Sequence, residues 1–321
     1  MKLQTTIPLK PVITQIDYTS AIVLLGSCFS ENMGCKLEYF KFQLLQNPFG
    51  ILFHPLAIEK LIAKAVQKKA FSEEDIFFLN ERWHCFDAHS ELSDPSPEKL
   101  LQKLNQGLQE TNQQINRSTH IIITLGTAWV YRKKESNSIV ANCHKVPQQE
   151  FSKELLNVEE IRKGLENIVN LIGSLNEKAQ VIFTISPVRH LKDGFVENQR
   201  SKAHLITAIH DFLSFRAQTS NCTYFPSYEI QMDELRDYRF YEADMIHPNQ
   251  LAIDYIWEKF KTVWISQEVY PLMNKVEAVQ KGLEHRPFNP DSEQHQQFLK
   301  SLNEKIKYLQ DRYFHMKFIT T

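Results

Sequence analysis

Two short stretches, far apart in the chain, carry the residue types of nucleophilic catalysis. The first is Gly26-Ser27-Cys28-Phe29-Ser30, which sets hydroxyls and a thiol directly after the apolar run at 21–25. A thiol at the start of a helix lies near unsatisfied backbone N–H groups, which lower its pKa and stabilise an oxyanion. The second is Asp244-Met245-Ile246-His247-Pro248. A residue before proline is held extended and proline favours a first helical turn, so His247 is expected just ahead of a helix with Asp244 on a neighbouring turn. The carboxylate then orients one imidazole nitrogen and leaves the other to act as a base. Each stretch alone also has an ordinary reading. Ser27 would cap the helix over a small buried Cys28, and Asp244 with His247 would be a structural pair.

The elements that must hold these stretches alternate in kind. Residues 21–25, 120–125, 179–185 and 223–226 read as short buried strands. Helical patterns at 30–39, 56–69, 97–116, 158–175, 201–218 and 251–264 separate or follow them. Strands alternating with helices predict an α/β fold with a mainly parallel sheet covered on both faces. Residues 129–147 read as an inserted β-hairpin around Lys134-Glu135-Ser136-Asn137, ended by Pro147. Beyond 265 only helical patterns occur, at 268–282 and 292–314, so the chain divides into a main domain over 1–265 and a helical C-terminal extension over 266–321.

Charge and cysteine usage narrow the chemistry. Lys+Arg 37 against Asp+Glu 38 leaves a net charge of -1, with no basic excess to neutralise a phosphate backbone, so nucleic acid is not an expected partner. No apolar run reaches the roughly 20 residues of a membrane span, and residues 1–14 lack a signal-peptide core, which makes cytoplasmic residence the expectation. Cys28, Cys35, Cys85, Cys143 and Cys222 are odd in number and scattered, which suits reduced thiols. His84, Asp87 and His89 invite a metal reading, but on a strand His84 and Asp87 point to opposite faces, so neither metal nor cofactor is expected.

Arg189, His190 and Lys192 follow the third strand, with Asn198, Arg200, Ser201 and Lys202 close behind. They read either as a lining that grips a polar or anionic substrate or as solvated loop charges. The charges from Asp233 to Arg239 read as an ion network supporting the histidine loop. Phe298, Leu302, Ile306 and Leu309 form a packing stripe, with a homodimer interface as the alternative.

The full set of motifs joins these parts. The Gly26 to Ser30 turn, Asn47-Pro48-Phe49-Gly50, Asn142 to Pro147, Ser186 to His190, Tyr224 to Glu229 and Asp244 to His247 together resemble the GSCFA family, itself similar to the SGNH (GDSL-like) hydrolases, over residues 1–265. The resemblance implies a three-layer α/β/α sandwich. Its first block falls on Gly26-Ser27-Cys28 and implies Cys28 as nucleophile, with a register slip giving Ser27. Its second-block glycine corresponds to Gly50, beside Asn47, as oxyanion donors. Its third block falls on Gly126-Thr127-Ala128-Trp129 and lacks the usual asparagine, leaving Thr127, Asn142 or fewer donors. Asp244 and His247 match the last block. The implied activity is hydrolysis of a small-molecule, carbohydrate or lipid acyl ester or thioester. The alternatives are acyl transfer to a carbohydrate or other polar acceptor, and a catalytically weak binding protein.

Overall fold

The computed structural model describes residues 4–216 and 221–318. Its architecture follows from the first strand. β1 (Ala21–Gly26) buries Ile22 and Leu24 on one face and Val23 and Leu25 on the other. A strand with two apolar faces needs cover on both. The chain continues with α1 (Cys28–Tyr39), β2 (Gln43–Gln46), α2 (Pro55–Val66), β3 (Ile76–Leu79), β4 (Arg82–Cys85), α3 (Pro97–Arg117) and β5 (His120–Leu125). Next come β6 (Trp129–Lys133), β7 (Ser138–Val140), β8 (Phe151–Leu155), α4 (Val158–Leu175), β9 (Gln180–Ile185) and α5 (Phe195–Arg216). The last elements are β10 (Cys222–Phe225), the single turn α6 (Ser227–Glu229), α7 (Gln250–Trp264), α8 (Tyr270–Glu284) and α9 (Glu293–Arg312).

Five strands form one parallel sheet in the order β10-β9-β5-β1-β2. Val23, Leu25, Ile121, Ile123, Val181 and Phe183 meet the apolar faces of α2 to α5 in one core. Ile22, Leu24, Ile122 and Ile182 meet α1, α7, α8 and α9 in the other. The result is the expected mainly parallel α/β/α arrangement. From β1 the chain runs outward to β2 on one side and to β5, β9 and β10 on the other, and in such sheets the ligand crevice lies beyond the strand ends at that reversal. Gly26 faces Thr124 there.

Three expectations change. The insertion is a three-stranded antiparallel sheet, β7-β6-β8, reaching Leu155 rather than a hairpin ending at Pro147. β7 ends at Val140, well before Pro147, and a 3-10 turn at Gln148–Glu150 returns the chain to pair with β6. The helix expected from 201 starts at Phe195, after Gly194 takes a positive φ. This makes Asn198 and Arg200 helical rather than loop residues and sets Ser201 and Lys202 inside the helix instead of at its start. α1 begins at Cys28, earlier than the pattern at 30–39 suggested. The C-terminal stripe packs within the chain as expected, burying Leu302, Ile306 and Leu309, while Phe298 stays partly exposed. Among the described residues no helix is long and apolar enough to cross a membrane.

Gly26 has φ +136°, and a Cβ on it would overlap the Thr124 carbonyl oxygen. Gly26→Ala should therefore destabilise the protein by about 2 kcal/mol or more. A urea titration with an unchanged midpoint would contradict this close approach.

Candidate functional site

Three hydrogen bonds fix the turn leading to Cys28. The Gly26 N–H donates to Asn47 Oδ1 at 2.9 Å, the Ser27 N–H to the Thr124 carbonyl at 3.0 Å, and the Leu52 N–H to the Gly26 carbonyl at 2.9 Å. Asn47 itself has φ 40° and donates its amide to Glu31 Oε1 at 3.5 Å. Asparagine tolerates this left-handed backbone better than most residues. Ser27 occupies the N-cap position, yet it is fully buried and its Oγ makes no hydrogen bond, so the expected side-chain cap is not formed. Cys28 is the first helical residue and is partly exposed. Burial first, and then the Glu31 carboxylate, push the Cys28 thiol up, whereas Lys202 and the backbone N–H groups of Phe29 and Cys28 pull it down. The expectation that the helix start lowers this thiol's pKa is therefore corrected, because desolvation outweighs it.

Asp244 and His247 meet directly. The His247 Nδ1 lies 2.6 Å from Asp244 Oδ2, and Asp244 Oδ1 accepts the backbone N–H groups of Ile246 and His247 at 2.8 and 3.0 Å. These N–H bonds and the imidazole hold the Asp244 carboxyl down to about 2. The His247 carbonyl accepts from Glu242 N–H, which closes the loop from the other side. Pro248 lies before the helix, and the side chain of Asn249 caps α7 by accepting from Ala252 N–H. Both side chains are about half exposed. Among the described residues no hydrogen bond joins the His247 ring to Cys28 or Ser27.

Between these parts lies Lys202, for which the sequence allows both a substrate-gripping and a solvated role. Lys202 is fully buried on α5, and its Nζ donates to the carbonyls of Gly126 and Ser186, both at 2.7 Å. These carbonyls follow the ends of β5 and β9. Among the described residues no carboxylate forms an ion pair with it, and burial brings its pKa down to about 7, opposed by Cys28 and Glu229. The sequence did hold a signal. Lys202 shares its helical face with buried Leu205, Ile209 and Phe212, which places its stem against the core. His190 stands beside it, its ring edge-on to Phe53 and its Nε2 buried without a partner. Burial first, then the charges of Lys202 and His247, hold His190 at about 4, so it is a neutral imidazole at physiological pH.

A cavity of about 620 Å³ opens beside His190, walled by Trp129, Tyr131, Asn142 and Lys192 among others. It brings Thr127, Asn142 and His190 together, but Cys28, Ser27, Asp244 and His247 are not among its walls. Arg189 turns elsewhere, onto Met232 Sδ and the Tyr241 ring.

The expected oxyanion donors are mostly engaged in holding the fold. The Gly50 N–H donates to the Asn47 carbonyl at 2.7 Å, and the Thr127 N–H to the Phe53 carbonyl at 3.0 Å. Thr127 Oγ1 contacts Ser201 Oγ and accepts from Trp129 N–H. Asn142 Oδ1 accepts from His144 N–H, leaving its amide as the side-chain donor of this set on the cavity wall. The other sequence-level clusters also have structural partners. His84 contacts Ser93 and the Leu79 carbonyl, Asp87 pairs with Lys60, and Arg236 and Arg239 pair with Asp233 and Asp237.

Lys202 predicts a pH signature. Its folded pKa lies below its unfolded one, so the unfolded chain binds more protons between about 7 and 10.5, and stability attributable to this group rises with pH across that window. The stability of the wild type minus that of Lys202→Met should be flat below about pH 7 and increase above it. A constant difference in chemical denaturation would show that Lys202 is charged throughout.

Comparison with known proteins identifies the family. No curated protein sequence matches the chain significantly. Among solved structures, the crystal structure of a carbohydrate esterase family 3 from Talaromyces cellulolyticus is similar at 8% identity and a TM-score of 0.36, covering 79% of this chain and 98% of that one. The sequence profile of the GSCFA family matches residues 21–260, and that of the GSCFA domain protein C-terminal domain matches residues 276–318. The first match spans β1 through most of α7, and with it the Cys28 turn, Lys202 and the Asp244 to His247 loop: the chain belongs to the GSCFA family.

Proposed function

We propose that the protein is an acyl-ester or thioester hydrolase in which Cys28 is the nucleophile and His247, oriented by Asp244, is the base. The observation that carries this reading is the 2.6 Å Asp244–His247 contact, clamped by two backbone N–H groups, in a chain that also sets a partly exposed thiol at the first residue of a helix beyond the sheet's switch point. Asp244 stays ionised down to about pH 2, so it fixes the His247 ring with Nδ1 protonated and Nε2 free to take a proton. Cys28 is preferred over Ser27 because Ser27 is fully buried.

In the proposed reaction His247 takes the Cys28 thiol proton as sulfur bonds to the substrate carbonyl carbon. The carbonyl becomes an oxyanion stabilised by backbone N–H groups at the start of α1. Its collapse breaks the bond to the alcohol or thiol, which leaves with the proton from His247. Water, deprotonated by the same imidazole, then attacks the acyl-thioester and regenerates the thiol. Because desolvation and Glu31 favour the protonated thiol, base-assisted attack suits this site better than a standing thiolate.

One observation favours transfer to a polar acceptor as a second reading. The cavity beside His190 has the aromatic walls Trp129 and Tyr131 and the cationic Lys145 and Lys192, with Lys153 paired to Asp193, surfaces suited to a sugar ring or an anionic acceptor. The corresponding partner is a small-molecule or carbohydrate acyl ester.

Cys28→Ala and His247→Ala should each lower kcat/KM for p-nitrophenyl acetate by about 1000-fold or more, and Asp244→Asn by about 10- to 10,000-fold. Mass spectrometry should find the acyl group on Cys28. Turnover that survives Cys28→Ala and falls with Ser27→Ala would move the nucleophile to Ser27, and no turnover of any short ester by the wild type would leave a binding protein.

A further inference from the structure

We infer that Lys202 is a positioning residue for Cys28, a buried cation that stabilises its thiolate and couples the ends of β5 and β9 to the reactive turn. The inference rests on the reading of Cys28 as the reactive group, but its test does not need ester turnover.

Three observations converge on it. First, Lys202 is fully buried, and an ammonium removed from water without an anion is costly enough that folds rarely keep one for packing alone. Second, its position is fixed by two 2.7 Å hydrogen bonds, to the carbonyls of Gly126 and Ser186. An ammonium has three N–H donors, so one remains beyond these two. Third, the anchoring carbonyls lie beyond the C-terminal ends of the strands, the end of the sheet from which Cys28 emerges. Thr124, two residues before Gly126, faces Gly26 across the β1–β5 pair and accepts the Ser27 N–H. Ser186 N–H donates to the Leu125 carbonyl, so β9 ends at the same level. The charges feel each other, since Lys202 pulls the Cys28 thiol down and the thiolate pulls Lys202 up.

Other groups around the pair limit its field without replacing it. Glu31 on α1 opposes the thiolate, Glu229 on α6 supports the ammonium, the Tyr228 ring lies 5.4 Å from Nζ, and His190 is neutral. A charge on Lys202 thus counters part of what burial and the Glu31 carboxylate impose on Cys28. It acts where the third-block asparagine is absent, and it does so through Cys28 rather than by binding substrate.

The test is alkylation of Cys28, read by peptide mass spectrometry from about pH 5 to pH 10, with exposed Cys35 as the internal reference. Neutral iodoacetamide and anionic iodoacetate are compared on wild type, Lys202→Met and Lys202→Arg. Lys202→Met should slow Cys28 labelling at pH 7 by about tenfold for each unit its thiol pKa rises and leave Cys35 unchanged, whereas Lys202→Arg should retain at least part of the wild-type rate because its charge is permanent. In wild type, the iodoacetate-to-iodoacetamide ratio at Cys28 should exceed that at Cys35 and fall as pH passes about 7, where Lys202 loses its proton. The same fall should appear in His247→Gln, which excludes that imidazole as its source. Equal labelling of folded Lys202→Met and wild type would overturn the inference. If Lys202→Met does not fold, a flat wild-type ratio overturns it alone. Lys202-dependent labelling in a protein that turns over no ester would reject the proposed function and keep this inference; Cys28-dependent turnover with Lys202-independent labelling would do the reverse.

Discussion

The close approach of Gly26 to the Thr124 carbonyl is the constraint on which the candidate site depends. Only a residue without Cβ lets the end of β1 press against β5 and still turn through φ +136°. That turn delivers Ser27 to the N-cap and Cys28 to the first helical position, one inward and one partly accessible. Asn47 secures the turn from β2's side by accepting Gly26 N–H, and the same asparagine accepts Gly50 N–H through its main-chain carbonyl. The Asn-Pro-Phe-Gly motif therefore acts as a brace for the Cys28 turn, with its glycine N–H engaged in the brace.

Around this turn the polar groups divide by what they are asked to hold. Thr127, Ser201 and Gly50 use their hydrogen bonds to fix loops. Asp244 uses three to fix His247. Lys202 uses two to tie the ends of β5 and β9, and its charge reaches Cys28 and His190. The site is accordingly short of free oxyanion donors and rich in buried electrostatics. The thiolate and the ammonium are each disfavoured by burial and each favoured by the other.

The inserted sheet gives the crevice a second wall. β6 leaves directly after the β5 loop, so Trp129 and Tyr131 line the same cavity as His190 and Lys192. Trp129 Nε1 donates to the Glu197 carbonyl of α5, and Lys153 of β8 pairs with Asp193. These contacts join the insertion to the segment that also carries Lys202. On the opposite face of the main sheet, the C-terminal helices complete the second core, with Met273, Val276, Leu302 and Ile306 packed with α1 and α7.

The sequence by itself determined the alternation of strands and helices, because runs such as His120 to Leu125 can only be buried between two layers. It also identified the Gly26 to Ser30 turn and the Asp244 to His247 pair as local units, since helix entry, proline geometry and a three-residue separation are short-range properties. What it did not determine depends on contacts between residues distant in the chain. The return of β8 to β6 required the partner strand as well as its own alternating pattern. Net effects on the Cys28 thiol required the degree of burial, which no local pattern states. In the sequence Lys202 falls at the start of a helix and reads equally as a substrate-gripping or a solvated charge, whereas α5 starts six residues earlier than expected and turns that side chain between the ends of two strands. Tertiary packing alone decides whether a lysine is wet or buried, and here that decision sets the electrostatics of the candidate site.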